Sequence, residues 1–145
     1  IPRIPVWNDP TTGTIEERAR AYLDMNCSSC HQPNGLARTS GLDLTYDQQI
    51  PVRYGVFKAP VAAGRGAGDA RFAIQPGRPE SSMLLQRLVS TVPGVRMPIV
   101  SRSLVHEEGV ALIEEWISQM EFSEMTRLQS TLDQRKAIHL EGLKD

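Results

Sequence analysis

The stretch Cys27-Ser28-Ser29-Cys30-His31 decides how this chain folds. Two cysteines separated by two residues and followed directly by a histidine form the C-x-x-C-H arrangement that attaches haem covalently to protein. Each thiol can add to one haem vinyl group to form a thioether, and the adjacent imidazole is held within reach of the iron. The stretch therefore predicts one covalently attached haem c, with Cys27 and Cys30 as attachment residues and His31 as the proximal iron ligand.

Two other uses of a C-x-x-C pair need residues that this sequence lacks. A thioredoxin-like dithiol belongs at the start of a helix in a βαβ unit and has a lowered thiol pKa, and no βαβ pattern surrounds Cys27. A structural zinc site needs four nitrogen or sulfur ligands, but beyond the motif the chain offers only His106 and His139. Haem attachment is therefore the favoured interpretation.

The sixth iron ligand separates an electron carrier from a haem enzyme. In Val95-Arg96-Met97-Pro98 the proline favours extended backbone at the methionine, which keeps Met97 out of a helix. A loop methionine this far beyond the motif can approach the opposite haem face, so we predict Met97 as the distal ligand. His106, expected to be an exposed residue in the first turn of a helix, and an open sixth position are the alternatives.

Hydrophobic spacing predicts an all-α fold of about three to five helices with long loops wrapped around the haem. The first helix starts at a capping box, Thr14-Ile15-Glu16-Glu17, and runs into the cysteines. The second starts at Pro79, the third between Ser103 and Glu107, and residues Ser123 to Leu143 continue or add a helix. The residues expected to form the buried faces of the first three helices are Ile15, Ala19, Tyr22 and Leu23; Leu84, Leu85, Leu88 and Val89; and Val110, Ile113, Trp116, Ile117 and Met120.

Glycine and proline without hydrophobic periodicity predict a long loop over residues 41–77. Within it we interpret Gly64-Arg65-Gly66-Ala67-Gly68 as a flexible turn, because a phosphate-binding loop needs a preceding strand and a following helix. The predicted organisation is an extended N-terminal arm at residues 1–13, a haem domain at 14–120 and a C-terminal helical extension at 121–145. Met83 and Met120 lie on predicted helices and are interpreted as core filler.

Composition is consistent with a single domain and narrows the class of partner. The chain has 145 residues, 40% of them hydrophobic, which is enough for one core. A net charge of −1 favours neither nucleic acid nor an anionic membrane as partner, and no apolar run is long enough to span a membrane. Covalent haem attachment takes place outside the bacterial cytoplasm or in organelles. We therefore expect an exported, periplasmic protein whose signal or upstream segment is absent from this chain.

Charge is distributed unevenly along the sequence. Residues 53–102 carry a net charge of +6, whereas residues 103–124 carry −6. We expect one or two arginines to neutralise the haem propionates and the remainder to form a basic rim near Met97. Such a rim would dock an acidic redox partner protein.

The order of helix, C-x-x-C-H, loop, R-M-P and a terminal helix with Glu114-Glu115-Trp116-Ile117 resembles the monohaem class I cytochrome c fold over residues 14–120. More narrowly, Gly41-Leu42-Asp43-Leu44 and the segment from Pro76 to Arg87 are similar to bacterial exported cytochrome c domains. Those domains are attached to, or work beside, β-propeller dehydrogenases of the glucose/sorbosone type. The resemblance implies that the first helix crosses the last near the haem edge, with Trp116 packed in the core.

The ligands predict the mechanism. Histidine and methionine suit both ferrous and ferric iron, so a His/Met-ligated haem passes single electrons between redox partners with little rearrangement. We therefore expect an electron carrier and not an enzyme, serving a partner such as a periplasmic dehydrogenase or a terminal oxidase. The alternative is a haem enzyme or gas sensor with an open sixth coordination site.

Overall fold

A computed structural model describes residues 3–61, 64–100, 104–121 and 123–142. Within these ranges the chain forms four α-helices and no β-strand. The helices are α1 (Ile15–Cys27), α2 (Met83–Val89), α3 (Glu107–Gln119) and α4 (Glu124–Gly142). The all-α class and the number of helices agree with the prediction.

The first helix begins and ends where its side chains can satisfy the terminal backbone groups. The Thr14 hydroxyl accepts the Glu17 N–H at 3.2 Å, and the Glu17 carboxylate accepts the Thr14 N–H at 2.8 Å. The predicted capping box is therefore confirmed. At the other end the Ser28 hydroxyl donates to the Asp24 carbonyl oxygen at 2.6 Å. Cys27 is thus the last residue of α1, and the rest of the motif lies in the turn that follows.

The second helix starts later than predicted. Residues Pro79–Ser81 form a 3₁₀ turn, and the α-helix begins at Met83. The reason is the buried hydroxyl of Ser82, which accepts the Gln75 N–H at 2.8 Å and donates to the Arg78 carbonyl at 2.9 Å. These bonds fix Ser82 in extended backbone and separate the 3₁₀ turn from α2.

The buried face of α2 also differs from the prediction at one position. Leu85 and Leu88 are buried and Leu84 is partly buried, as expected. Val89 is 46% exposed, because the helix has only seven residues and Val89 is the last of them. Met83, expected to be core filler, is 8% exposed and is buried at the opposite end.

Helix α3 packs against α1 at a point of close approach, and the position of this contact relative to a haem remains a prediction. The backbone of Gly109 lies against the Tyr22 ring, and a Cβ atom at Gly109 would overlap the phenol group. Trp116 is 3% exposed and lies in the core, as predicted. Leu112, which the apolar stripe did not include, is buried as well. The buried core residues from α1, α2 and α3 are Ala19, Tyr22, Leu23, Leu85, Leu88, Leu112, Ile113, Trp116 and Ile117.

The predicted long loop is held to α1 by a buried cation that the sequence did not indicate. Arg20 is 6% exposed, and its Nη2 donates to the carbonyl oxygens of Thr45, Tyr46 and Gln48. Its guanidinium carbon lies 3.8 Å from the centroid of the Tyr54 ring. Carbonyl oxygens and an aromatic face together replace the water that the charge gives up.

The C-terminal helix predicted for residues 123–143 is present as α4, and Leu143 lies outside the described residues. In the described part of the chain α4 makes no contact with another helix. Over the same residues, no helix combines the length and the apolar character needed to cross a membrane.

Candidate cofactor site

The two cysteines and the histidine lie on one turn at the end of α1. The N–H groups of Cys30 and His31 both donate to the Cys27 carbonyl oxygen, at 3.2 and 2.9 Å. Both thiols are free and partly exposed. The backbone thus holds two thiols and one imidazole within a single turn.

The chain then folds back over the motif. The Ala37 N–H donates to the Cys30 carbonyl oxygen at 2.9 Å, which closes the turn that starts at Gln32. A Cβ atom at Gly35 would collide with the carbonyl group of Cys30, so the turn requires glycine there. Folding back places the next turn, Arg38–Ser40, beside the histidine.

Ser40 determines which nitrogen of His31 carries the proton. The Ser40 hydroxyl donates its hydrogen to the Ala37 carbonyl oxygen at 2.7 Å. The same oxygen lies 3.0 Å from His31 Nδ1, and because its hydrogen is already used, it accepts the bond from Nδ1–H. His31 Nε2 therefore keeps its lone pair, which is the form of imidazole that binds a metal.

The pKa values of the motif also favour ligation over thiol redox chemistry. Burial and the positive charge of Arg87 lower the pKa of His31, so the ring is neutral near pH 7. Burial, with a smaller contribution from Cys30, raises the pKa of the Cys27 thiol to about 12. A reactive dithiol needs a lowered thiol pKa, and Cys27 has the opposite.

Arg87 on α2 connects the methionine segment with the motif. The Met97 N–H donates to the Arg87 carbonyl oxygen at 3.0 Å, and Arg87 Nη1 lies 3.5 Å from the Val95 carbonyl oxygen. The charge of the same guanidinium acts on the pKa of His31. Met97 is partly exposed and lies outside any helix, as predicted. Its role as an iron ligand remains a prediction.

The glycine-rich segment packs against the same arginine. Residues Gly64–Ala67 form a 3₁₀ turn, which agrees with the interpretation as a turn. The backbone of Gly66 lies so close to the Arg87 guanidinium that a Cβ atom there would overlap it.

The alternative ligand His106 is placed at the crossing of α1 and α3. It is exposed, as predicted, but it lies immediately before α3 and not in its first turn. Its Nδ1 lies 2.9 Å from the Tyr22 hydroxyl. Its ring is stacked on Tyr22 and meets Trp7 edge to face. These contacts give His106 a local packing role. Met120, the other methionine near α3, is partly buried against the core.

The zinc interpretation finds no support in the described part of the chain. Over those residues no group of three or more His, Cys, Asp or Glu side chains is arranged to hold a metal ion. His139 lies exposed on α4, which has no described contact with the helix that carries the cysteines.

The residues present fit a haem. Free thiols, a neutral imidazole with its lone pair on Nε2 and a thioether sulfur are the groups that a covalent His/Met haem requires. Large apolar side chains are also exposed in both segments that would flank it. Leu36 follows the motif and is 89% exposed; Val92, Ile99 and Val100 surround Met97 and are 57%, 58% and 70% exposed. A haem contributes a broad apolar face against which such side chains can be buried.

Comparison with known proteins gave no match to a family model, to a curated protein or to a solved structure. What the site can do therefore follows from its own residues.

Sequence reasoning proposed four site residues and did not indicate two residues that contact them, Ser40 and Arg87. Ser40 and Arg87 carry no motif or periodicity of their own; Ser40 contacts His31 through its hydroxyl, and Arg87 contacts Met97 through its own carbonyl oxygen. A serine within ten positions of a haem-motif histidine, in a segment rich in turn residues, is the one signal that could have indicated Ser40.

Proposed function

We propose that this chain is a monohaem c-type cytochrome of class I that carries single electrons. Haem c would be attached at Cys27 and Cys30, with His31 and Met97 as the axial ligands. When bound, the haem supplies an iron that alternates between the ferrous and ferric states by one electron.

The observation that carries the proposal is the His31 ring next to two free thiols. Its Nδ1–H donates to the Ser40 hydroxyl oxygen, so the ring carries its lone pair on Nε2, on the side away from Ser40. A ring fixed in this tautomer is ready to ligate, and no neighbouring carboxylate is needed to set it.

The protein's own residues would then keep electron transfer free of proton chemistry. Burial and Arg87 disfavour a proton on His31, and a thioether such as Met97 has no proton to exchange. A site with both axial positions filled by uncharged side chains accepts and returns an electron without taking up a proton. This is the behaviour of a carrier and not of an enzyme.

The first test is covalent attachment. The protein is produced in a host that exports it and attaches haem c. It is then denatured in acid, and its intact mass is measured by mass spectrometry. We expect the polypeptide mass plus one haem for the wild type, and incomplete or altered attachment for Cys27→Ala and Cys30→Ala. His139→Ala, on the exposed face of α4, is the control and should attach haem normally. A wild-type mass equal to the bare chain would end the proposal.

The second test separates the carrier from the haem enzyme or gas sensor. Carbon monoxide is added to the reduced wild-type protein at neutral pH, and the Soret spectrum is followed. A filled sixth position predicts slow and incomplete binding. Rapid, complete binding would establish the open site in its place.

Location and partners are proposed on the same basis. Thioether attachment places the protein outside the cytoplasm, as an exported or periplasmic cytochrome. Its resemblance to cytochrome domains that accompany β-propeller dehydrogenases suggests such a dehydrogenase as electron donor. Mixing the reduced dehydrogenase with the ferric protein and following reduction of the haem would test this assignment.

A further inference from the structure

Lys58 is a buried cation that the protein does not neutralise. Its side chain is 6% exposed, whereas lysines are almost never buried to this extent unless they are paired. Its ammonium group makes one hydrogen bond, to the Ala59 carbonyl oxygen at the long distance of 3.3 Å. In the described part of the chain no carboxylate is among its contacts, and burial lowers its pKa with no opposing charge. Within the described residues, its other two donors meet no acceptor.

Arg20 is a buried cation with more compensation in the same fold, although its Nε has no hydrogen-bond partner among the described residues. It is also 6% exposed, but it reaches three carbonyl oxygens, the closest at 2.6 Å, and the face of Tyr54. Among the described residues, Lys58 has only the long bond to the Ala59 carbonyl oxygen. An unpaired buried charge is costly, so a second, anionic group is needed to offset it.

Hydrogen bonds and packing fix the backbone at Lys58. Its N–H donates to the Gly55 carbonyl oxygen at 3.1 Å, and its own carbonyl oxygen accepts the Ala73 N–H at 2.8 Å. The preceding residue, Phe57, has a φ of 52°, a conformation that is rare for a bulky side chain. Phe57 is 3% exposed and packs edge to face on Phe72, which keeps that conformation.

The ammonium lies beside the segment that orients His31. A Cβ atom built on Gly41 would be 3.1 Å from Lys58 Cε and 3.3 Å from Nζ. Gly41 directly follows Ser40, whose hydroxyl accepts the His31 Nδ1–H bond. The unbalanced positive charge is therefore close to the turn that holds His31.

We propose that Lys58 binds a propionate carboxylate of the haem, an inference that rests on the proposed function. The haem edge carries two carboxylates, and a charge-assisted hydrogen bond to one of them would occupy the free donors of the ammonium. The pair would also place one fixed positive charge near the iron, which favours the ferrous state.

The experiment observes the propionates directly. Holo-protein is produced with haem labelled with ¹³C at the propionate carboxyl carbons, and infrared difference spectra between the ferric and ferrous forms identify the labelled bands. The samples are wild type, Lys58→Met, Lys58→Arg and Lys136→Met. Lys136 is exposed on α4 and is the matched control for losing one lysine charge. Haem attachment is verified by mass on each sample.

We expect the labelled carboxylate bands to shift in Lys58→Met and, by a smaller amount, in Lys58→Arg, while Lys136→Met retains the wild-type bands. The midpoint potential should fall in Lys58→Met and be retained in Lys58→Arg. Labelled bands that are identical in wild type, Lys58→Arg and Lys58→Met would overturn the inference and leave haem attachment standing. If Lys58→Met does not acquire haem, the labelled bands of wild type and Lys58→Arg are compared. A shift supports the inference, and identical bands overturn it. A wild-type protein without haem would overturn the proposed function and this inference together.

Discussion

At the scale of single residues, Ser40 is the side chain on which the geometry of His31 depends. Its hydroxyl oxygen accepts bonds from His31 Nδ1 and from the Leu42 N–H, at 3.0 and 3.2 Å, and donates to Ala37. Hydrogen bonding at the far nitrogen of a ligating histidine orients the ring and increases its basicity. Ser40 is thus expected to act on the iron without touching it.

We predict that Ser40→Ala raises the reduction potential of the holo-protein and costs about 1–3 kcal/mol of stability. The potential rises because a less basic imidazole stabilises ferric iron less, and the stability falls because a partly buried N–H loses its acceptor. Potentiometric titration and denaturant unfolding followed at the Soret band measure the two effects.

Two further variants serve as controls for Ser40→Ala. Ser40→Thr keeps a hydroxyl and should restore the wild-type potential. Ser118→Ala removes an exposed hydroxyl that bonds to the Glu114 carbonyl oxygen on α3, and should change stability by less than about 0.5 kcal/mol. A wild-type potential in Ser40→Ala would show that Ser40 is only structural.

Met97→Ala should open the sixth coordination position. We expect rapid binding of carbon monoxide to the ferrous protein and of cyanide to the ferric protein, a lower reduction potential and loss of the ferric methionine charge-transfer band. Optical titration with each ligand measures the effect.

Met83→Ala is the matched methionine control. Met83 is buried in the core on α2, so its truncation should cost about 2–5 kcal/mol of stability and leave the charge-transfer band in place. Loss of the band in Met83→Ala, with retention in Met97→Ala, would show that Met83 and not Met97 is the distal ligand.

At the scale of helices, the crossing of α1 and α3 depends on a residue without a side chain. Gly109→Ala should destabilise the protein by about 1–3 kcal/mol, because the new methyl group overlaps the Tyr22 ring. The better helix propensity of alanine, about 1 kcal/mol, offsets only part of this cost. Thermal or denaturant unfolding of the holo-protein is the measurement.

Gly142→Ala makes the same substitution in α4, where a Cβ atom would meet nothing within 4 Å. It should be neutral or slightly stabilising. Equal stability of the Gly109→Ala and Gly142→Ala proteins would contradict the close contact at the crossing.

The helices show which features a sequence can reveal. The capping box at Thr14 and the core role of Trp116 depend on residues a few positions apart, so their patterns are visible in the sequence. The late start of α2 depends on Ser82 bonding to the backbone of Gln75 and Arg78, for which no side-chain pattern exists. The burial of Arg20 could not be predicted either, because the carbonyl oxygens that it contacts belong to residues far along the sequence.

The candidate site also contains residues that a sequence can indicate and residues that it cannot. The motif is contiguous, so Cys27, Cys30 and His31 could be recognised from sequence alone. Ser40 and Lys58 act through tertiary contacts with the turn after the motif, and their polar side chains have no periodicity to mark them.

At the scale of the whole molecule, α4 makes no contact with another helix in the described residues. Removal of residues 121–145 should therefore leave the Soret spectrum, the charge-transfer band and the unfolding midpoint of the holo-protein close to those of the full chain. Spectra and denaturant titrations of the two proteins test this. A large loss of stability on truncation would show that the extension packs against the core.

Long-range charge should control the encounter with the redox partner. Residues 53–102 carry a net charge of +6, although the Arg65 side chain and Arg102 lie outside the part that the structure describes. The rate of electron transfer with an acidic partner should fall as ionic strength rises, because salt screens this attraction. Stopped-flow kinetics at increasing salt concentration provide the measurement.

Arg96→Glu should weaken that salt dependence, since Arg96 is partly exposed beside Met97. Arg135→Glu makes the same change in total charge on α4 and should have a much smaller effect. A rate that does not change with salt would leave the arginines with structural roles and contacts to the haem carboxylates.

The contact between Tyr22 and Gly109 also constrains how this sequence can vary over evolutionary time. Because the phenol ring of Tyr22 fills the space that a side chain at Gly109 would need, the sizes of the residues at positions 22 and 109 should vary in opposite directions. A descendant or relative with a larger residue at position 109 should carry a smaller one at position 22, and single changes at either position should be selected against. Covariation between these two positions would then trace the helix crossing in sequences whose structures are unknown.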